Sequence, residues 1–181
     1  KLRKIDRKNE EIKIYTKKAA DSGHVLSMYL YANILNKEEK DDQKIKEIEK
    51  YYLLASLKGF HKATYKYALM IEKREKTIEN LNIVRLNLKL AADGGYIKAI
   101  YKYALILTKE NKIEEAIKYY MEGANRGDVK SMYTCGIFYE NLDYNKAAHY
   151  FKLALDKKYT SAEWHYLNLI LDGKYTPNNE D

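Results

Sequence analysis

Ala91-Ala92-Asp93-Gly94-Gly95-Tyr96-Ile97-Lys98-Ala99-Ile100-Tyr101-Lys102-Tyr103-Ala104 sets the register of the whole chain. A helical run stops at Gly95, and apolar residues resume at helical spacing just beyond it. The frame Ala92-x-x-Gly95-x-x-x-Ala99 recurs as Ala20-x-x-Gly23-x-x-x-Ser27, Ser56-x-x-Gly59-x-x-x-Ala63 and Ala124-x-x-Gly127-x-x-x-Ser131, with a degraded fifth copy at Leu155-x-x-Lys158-x-x-x-Ala162. Successive anchors lie 36, 36, 32 and 31 residues apart. A period of this size, flanked by helical patterning, indicates stacked helix pairs rather than a globular domain.

The anchor is where a helix must stop. A glycine past the last turn takes the left-handed conformation that closes a helix, and a Cβ there costs about 1 kcal/mol. Lys158 is therefore expected to be the weakest of the five caps. Positions are counted here from the anchor, with helix B before it and helix A after it. Small residues stand at −4 (Ala19, Ala55, Ala91, Gly123, Ala154) and at +4 (Ser27, Ala63, Ala99, Ser131, Ala162). Such rows let helix axes approach closely, so they mark the crossings of B with A. At +9 stand Ala32, Ala68, Ala104 and Gly136, with Leu167 breaking the row; at +8 stand Tyr31, Tyr67, Tyr103, Cys135 and Tyr166. Positions +4, +8, +9 and +12 share one helical face, which is the predicted core. Cys135 falls on it and reads as a buried thiol. The pattern predicts helices B near 9–22, 43–58, 78–93, 113–126 and 144–157, and helices A near 25–36, 61–73, 97–109, 129–141 and 160–172.

Composition supports burial, since 46% of residues are hydrophobic and the single proline, Pro177, lies near the end. The net charge of +7 is partly local. Lys1, Arg3, Lys4, Arg7 and Lys8 against Asp6 give residues 1–8 a charge of +4, leaving a modestly basic body. One cysteine excludes an intrachain disulfide framework. No apolar run is long enough to span a bilayer and no signal-peptide pattern opens the chain, so a cytoplasmic location is expected. The sequence starts inside a helical pattern without Met and reads as a piece of a longer protein. The expected organisation is a basic segment at 1–8, an array of about five repeats at 9–172, and a disordered tail at 173–181.

These rows resemble the Sel-one-like repeat, a relative of the tetratricopeptide repeat. The register of that family is Ala-x-x-Gly-x-x-x-Ala-x-x-x-Leu-Gly, followed after a loop by an Ala and two aromatics. Here the second half stands as Ala116 with Tyr119-Tyr120, Ala147 with Tyr150-Phe151, and Ile48 with Tyr51-Tyr52, and the likeness covers roughly residues 10–172. The Gly-x-Gly-Val loop of the family is replaced by charged stretches such as Glu72-Lys73-Arg74-Glu75-Lys76, and its Leu-Gly pair is mostly Tyr-Ala. The cysteine-rich, disulfide-stapled branch does not fit a chain with Cys135 alone. The resemblance implies an all-α, right-handed α/α superhelical solenoid of stacked antiparallel helix pairs, acting as an adaptor or scaffold.

No constellation of residues points to chemistry. His24, His61, His149 and His165 lack metal-ligand spacing, no phosphate-cradling loop is present, and Gly94-Gly95 is a helix stop. No catalytic residue, cofactor or metal is expected. The candidate site is instead a stripe on helices A opposite the core. Lys62 and Lys66, Lys98 and Lys102, then Lys130 stand at +3 and +7. Tyr65, Tyr101 and Tyr133 belong to an unbroken aromatic row at +6, with Tyr29 and Trp164, and Leu69, Leu105 and Ile137 stand at +10. As a site, the stripe offers lysines for carboxylates and apolar footholds in a concave groove lined by helices A. As structure, the lysines are a solvated face and the tyrosines pack one repeat on the next. The leading expectation is a non-enzymatic scaffold binding an extended acidic protein segment. The alternatives are single-stranded nucleic-acid binding, which the modest body charge disfavours, and an architectural spacer in a longer chain.

Overall fold

The computed structural model describes residues 2–38 and 41–177, with only the backbone for residues 2–8. The described residues form ten α-helices and no strand: α1 (Leu2–Asp21), α2 (Val25–Leu35), α3 (Asp42–Leu57), α4 (His61–Ile71), α5 (Ile78–Asp93), α6 (Ile97–Lys109), α7 (Ile113–Asn125), α8 (Val129–Tyr139), α9 (Tyr144–Asp156) and α10 (Glu163–Leu171). Odd-numbered helices are of type B and even-numbered ones of type A. The chain forms two compact units, one ending at Tyr96 and the other beginning at Ile97. In the first, each of α1 to α5 packs on its neighbour in sequence; in the second, α6 to α10 do the same.

Two boundaries differ from the predicted map. Helix α1 begins at Leu2, so it takes in residues 2–8 of the basic stretch set apart above, Lys1 lying outside the described residues. The last A helix is entered through a 3-10 turn at Thr160–Ala162, which delays regular α geometry to Glu163. Of the tail expected to be disordered, residues 178–181 lie outside the described residues, as do Glu39 and Lys40 of the first connector.

All five anchors carry positive φ, from +63° at Lys158 to +91° at Gly23. At each one the next residue's N–H reaches back to the −4 carbonyl: His24 to Ala19, Phe60 to Ala55, Tyr96 to Ala91, Asp128 to Gly123 and Tyr159 to Ala154. That bond, with the anchor N–H bonded to the −3 carbonyl, is the Schellman cap. Four anchors meet the conformation with glycine and one strains a lysine. Replacing Lys158 with Gly should therefore raise stability by about 0.5–1 kcal/mol, while Gly95→Val, at φ +80°, should lower it by roughly 1–2 kcal/mol. Urea midpoints of the two variants check both signs.

Two kinds of contact build the core. Within a repeat, −4 crosses +4: a Cβ on Gly123 would stand 2.4 Å from Ser131 Oγ, and Ala55 and Ala63 are fully buried. Nearby, Ser56 Oγ donates to Thr64 Oγ1 at 2.8 Å, which satisfies two buried hydroxyls. Between helix A and the following helix B, a small buried residue at +9 recurs with a large buried residue at −7. The pairs are Ala32 with Tyr52, Ala68 with Leu88, Ala104 with Tyr120, and Gly136 with Phe151, all buried. A Cβ on Gly136 would meet the Phe151 ring at 2.4 Å. Beside two of these size matches, a +8 tyrosine meets the −8 tyrosine edge-on, with Tyr31–Tyr51 and Tyr103–Tyr119 centroids both 4.9 Å apart.

Candidate partner-binding face

The lysines of the stripe lie on helices A as their spacing dictates. Lys62 on α4, Lys98 on α6 and Lys130 on α8 are exposed, and the +7 residues Lys66 and Lys102 are half-buried. Lys62, Tyr65, Lys66 and Leu69 share one side of α4, which belongs to the first unit. Lys98, Tyr101, Lys102 and Leu105 do the same on α6 in the second.

The +6 tyrosines have packing partners. Tyr29 packs on Phe60 and Tyr52, Tyr65 on Tyr96, Tyr101 on Tyr120, and Tyr133 on Phe151 and Tyr159, with centroids 5.1–6.1 Å apart. Their partners are the residue just after the next anchor and the −7 ring of the next helix B. Burial pushes the Tyr65 and Tyr101 hydroxyls above the usual phenol range. Only Trp164, with no helix B after it among the described residues, is 66% exposed. The +10 residues Leu69 and Leu105 are half-buried rather than exposed as the wheel of one helix suggests, while Ile137 remains 38% exposed. The reason is the following helix: Asn33, also at +10, accepts a hydrogen bond from the Tyr52 hydroxyl at 2.9 Å.

The tyrosines and lysines also meet each other. Lys62 Nζ sits 5.2 Å from the centroid of the Tyr29 ring, and Lys130 Nζ 5.8 Å from that of Tyr101. In both cases a +3 lysine covers the +6 tyrosine of the preceding copy. The cation stays in water while the ring quadrupole holds it, an interaction worth roughly 0.5–1 kcal/mol at an exposed site. The sequence contains this signal as lysines 33 and 29 residues after a tyrosine, but only the stacking of repeats makes it readable.

A second feature escaped the spacing argument. His165 stands at +7 in the last copy, where α4 and α6 carry lysine. Its Nδ1 is 2.8 Å from Glu140 Oε1, its Nε2 is 3.1 Å from the Tyr133 hydroxyl, and its ring stacks on Phe151. The group ties α10 to α8 and α9. Next to α8, Ile113, Ile117, Tyr120, Ile137 and Phe138 line an apolar recess of about 170 Å³. It contains no charged side chain and is shaped for an apolar one.

Among the described residues no group of three or more His, Cys, Asp or Glu could hold a metal ion, and no helix is long and apolar enough to cross a membrane. Cys135 is fully buried, and burial pushes its thiol up to about 12. The thiolate is the nucleophile, so alkylation by iodoacetamide at pH 8 should be negligible in the native chain and fast in urea. Mass spectrometry of the two samples checks this.

Over 90% of its length the chain is similar to c5321, a protective antigen present in uropathogenic Escherichia coli strains displaying an SLR fold, with a TM-score of 0.74 at 20% identity. The chain has the Sel-one-like repeat fold. A Sel1 repeat protein from Oxalobacter formigenes gives a TM-score of 0.72 at 21% identity over 85% of the chain. The immunity protein PA5088 from Pseudomonas aeruginosa matches 84% of the chain with a TM-score of 0.54 at 21% identity. The chain spans 37% of the first of these proteins, 66% of the second and 58% of the third. No family model matches the sequence, and no curated protein matches it.

Proposed function

We propose that the chain is a non-enzymatic protein–protein interaction module whose helices A bind an extended acidic segment of a partner protein. The observation that carries this reading is the recurrence of an exposed +3 lysine in three successive copies, Lys62, Lys98 and Lys130. Two of them are held over a tyrosine of the copy before. A lysine whose stem is already ordered loses less entropy on meeting a carboxylate. Within the second unit, Lys98 and Lys130 hold the same register position in adjacent copies, where like charges repel and a polyanionic segment relieves the repulsion. The recess beside Ile137 supplies a foothold for an apolar side chain of the same segment. A cytoplasmic location belongs to this reading, in keeping with a single thiol and no disulfide.

Single-stranded nucleic acid fits less well. Base stacking needs free aromatic faces, and the +6 tyrosines are packed on rings of the following copy. An architectural role in a longer chain leaves the recurrent lysines without a task.

The test is capture of ligands from the native host, followed by titration of the recovered protein against wild type and against Lys66→Glu/Lys98→Glu/Lys102→Glu. Helicity should stay nearly unchanged, because charged side chains at the surface contribute little to folding. Affinity should fall at least tenfold, about 1.4 kcal/mol, and wild-type binding should weaken with added salt. Equal affinity for the two proteins would place the binding surface elsewhere, and recovery of nucleic acid alone would favour the second reading.

A further inference from the structure

His165 fills a place on α10 that the preceding copy leaves open on α8. It stands at +7, and its side chain meets three positions: Phe151 at −7, Tyr133 at +6 of the copy before, and Glu140 at +13 of the copy before. The same frame exists one repeat earlier, within the unit that begins at Ile97. There Tyr120 stands at −7, Tyr101 at +6 and Thr108 at +13. The two frames agree in geometry. Tyr101 and Tyr120 have centroids 5.8 Å apart and planes inclined at 59°, and Tyr133 and Phe151 have centroids 6.1 Å apart and planes at 51°. The +7 residue differs: it is Thr134, the smallest of a row that otherwise holds Leu30, Lys66, Lys102 and His165. Thr108, Tyr120 and Thr134 all line the apolar recess of about 170 Å³. The recess is the space that a +7 ring occupies in the next copy.

We propose that this recess takes the phenyl ring of a phenylalanine in the bound acidic segment, set against Tyr120 as His165 is set against Phe151. The inference rests on the acidic-segment reading above and names the side chain that anchors it. Size fits, since an apolar cavity of roughly 150 Å³ holds a benzene ring. Polarity fits as well. Ile113, Ile117, Ile137 and Phe138 form apolar walls, and the three hydroxyls of the recess already have partners. Thr108 Oγ1 donates to the Ala104 carbonyl at 3.0 Å and meets the Tyr120 hydroxyl at 3.2 Å, while Thr134 Oγ1 donates to the Lys130 carbonyl at 2.9 Å. Thr108 also stands where Glu140 holds His165 Nδ1, so an imidazole would find no carboxylate here. A nucleobase would likewise give up hydrogen bonds to water, whereas a phenyl ring gives up none. Charge selects the flank. Lys130 lies one turn before Thr134 on α8, exposed, with its Nζ 5.8 Å from the Tyr101 centroid, and a carboxylate beside the phenylalanine meets that ammonium. Around Ile113 the surface mixes Lys112 and Lys118 with Glu114 and Glu115, so the basic flank is the one on α8. A buried aromatic ring is the kind of anchor that carries most of the affinity of a small interface.

Fluorescence-polarisation titration with two labelled peptides, Glu-Glu-Phe-Glu-Glu and Glu-Glu-Ala-Glu-Glu, tests the proposal. Wild type should bind the phenylalanine peptide at least about tenfold more tightly. Thr134→His closes the recess from within, as His165 does on α10. It should abolish that preference while leaving circular dichroism and binding of the alanine peptide unchanged. Thr134→Val, of nearly equal size, should keep the preference. Methyl NMR of wild type locates the ring: the Ile117 and Ile137 methyls should shift upfield with the phenylalanine peptide and stay in place with the other. Lys130→Glu should weaken both peptides alike, and so reports on the acidic-segment reading separately. If both peptides bind wild type equally and Lys130→Glu weakens both, the acidic segment stands and the phenyl anchor is overturned. If the preference and the methyl shifts appear but Lys130→Glu changes nothing, the anchor stands and the acidic flank does not. Binding of neither peptide overturns the proposal. So does binding of single-stranded oligothymidylate, or of a second copy of the chain, that Thr134→His abolishes.

Discussion

Phe151→Ala is expected to cost about 3–5 kcal/mol, among the largest effects of any single truncation in the chain. The ring is fully buried, rests on Gly136, stacks on His165 and packs against Tyr133. Removing it opens a cavity between α8, α9 and α10 that glycine at 136 cannot fill, so the loss of contacts adds to the loss of burial. Against a typical total stability of about 5–15 kcal/mol, that is enough to unfold much of the unit that begins at Ile97 at moderate urea. Trp164→Ala, of equal or greater size but exposed, should change the monomer by no more than about 0.5 kcal/mol. Urea denaturation followed by circular dichroism measures both.

Gly123→Leu should cost about 2–3 kcal/mol by the opposite route, overpacking. Gly123 is buried on α7 at the crossing with α8, where even a Cβ would come within 2.4 Å of Ser131 Oγ and 3.4 Å of Ile100. Ser131 cannot step aside freely, because its hydroxyl donates to Asp128 Oδ2 at 2.6 Å, the same carboxylate that caps α8. A leucine there must push the two helices apart or break the cap. The same denaturation measurement shows the loss, and an unchanged midpoint would mean that the −4 and +4 rows do not mark the crossings.

The helix pairs and their stops were legible because the physics behind them is local. A residue at positive φ and small side chains four positions to either side are written within nine residues of sequence, and repetition lifts that short signal above chance. Lys158 shows the limit of reading by residue type, since it holds the same left-handed cap as the four glycines. The stripe was legible only by position. The wheel puts Tyr65, Tyr101 and Leu105 opposite the core of their own repeat, and cannot see the helix that the next repeat lays over them. The tyrosines therefore have packing partners, and Lys62 and Lys130 acquire rings that lie one copy back. His165 was hidden for the same reason, because Glu140 and Tyr133 come from another repeat. The pairing of −7 with +9 was available in the sequence as two separate rows, and needed the junction geometry to become one rule.

That rule is central, since it explains the core between helices A and B and the fate of the +6 row. A double-mutant cycle on Gly136 and Phe151 tests it most directly. Gly136→Leu alone and Phe151→Ala alone should each destabilise the chain, the first by overpacking and the second by a cavity. Combined, the leucine should fill the space the ring vacates. The double variant should then be more stable than the sum of the two losses predicts by at least about 1 kcal/mol. Losses that add to within about 0.5 kcal/mol would show that the two positions are not size-matched, and would contradict the account.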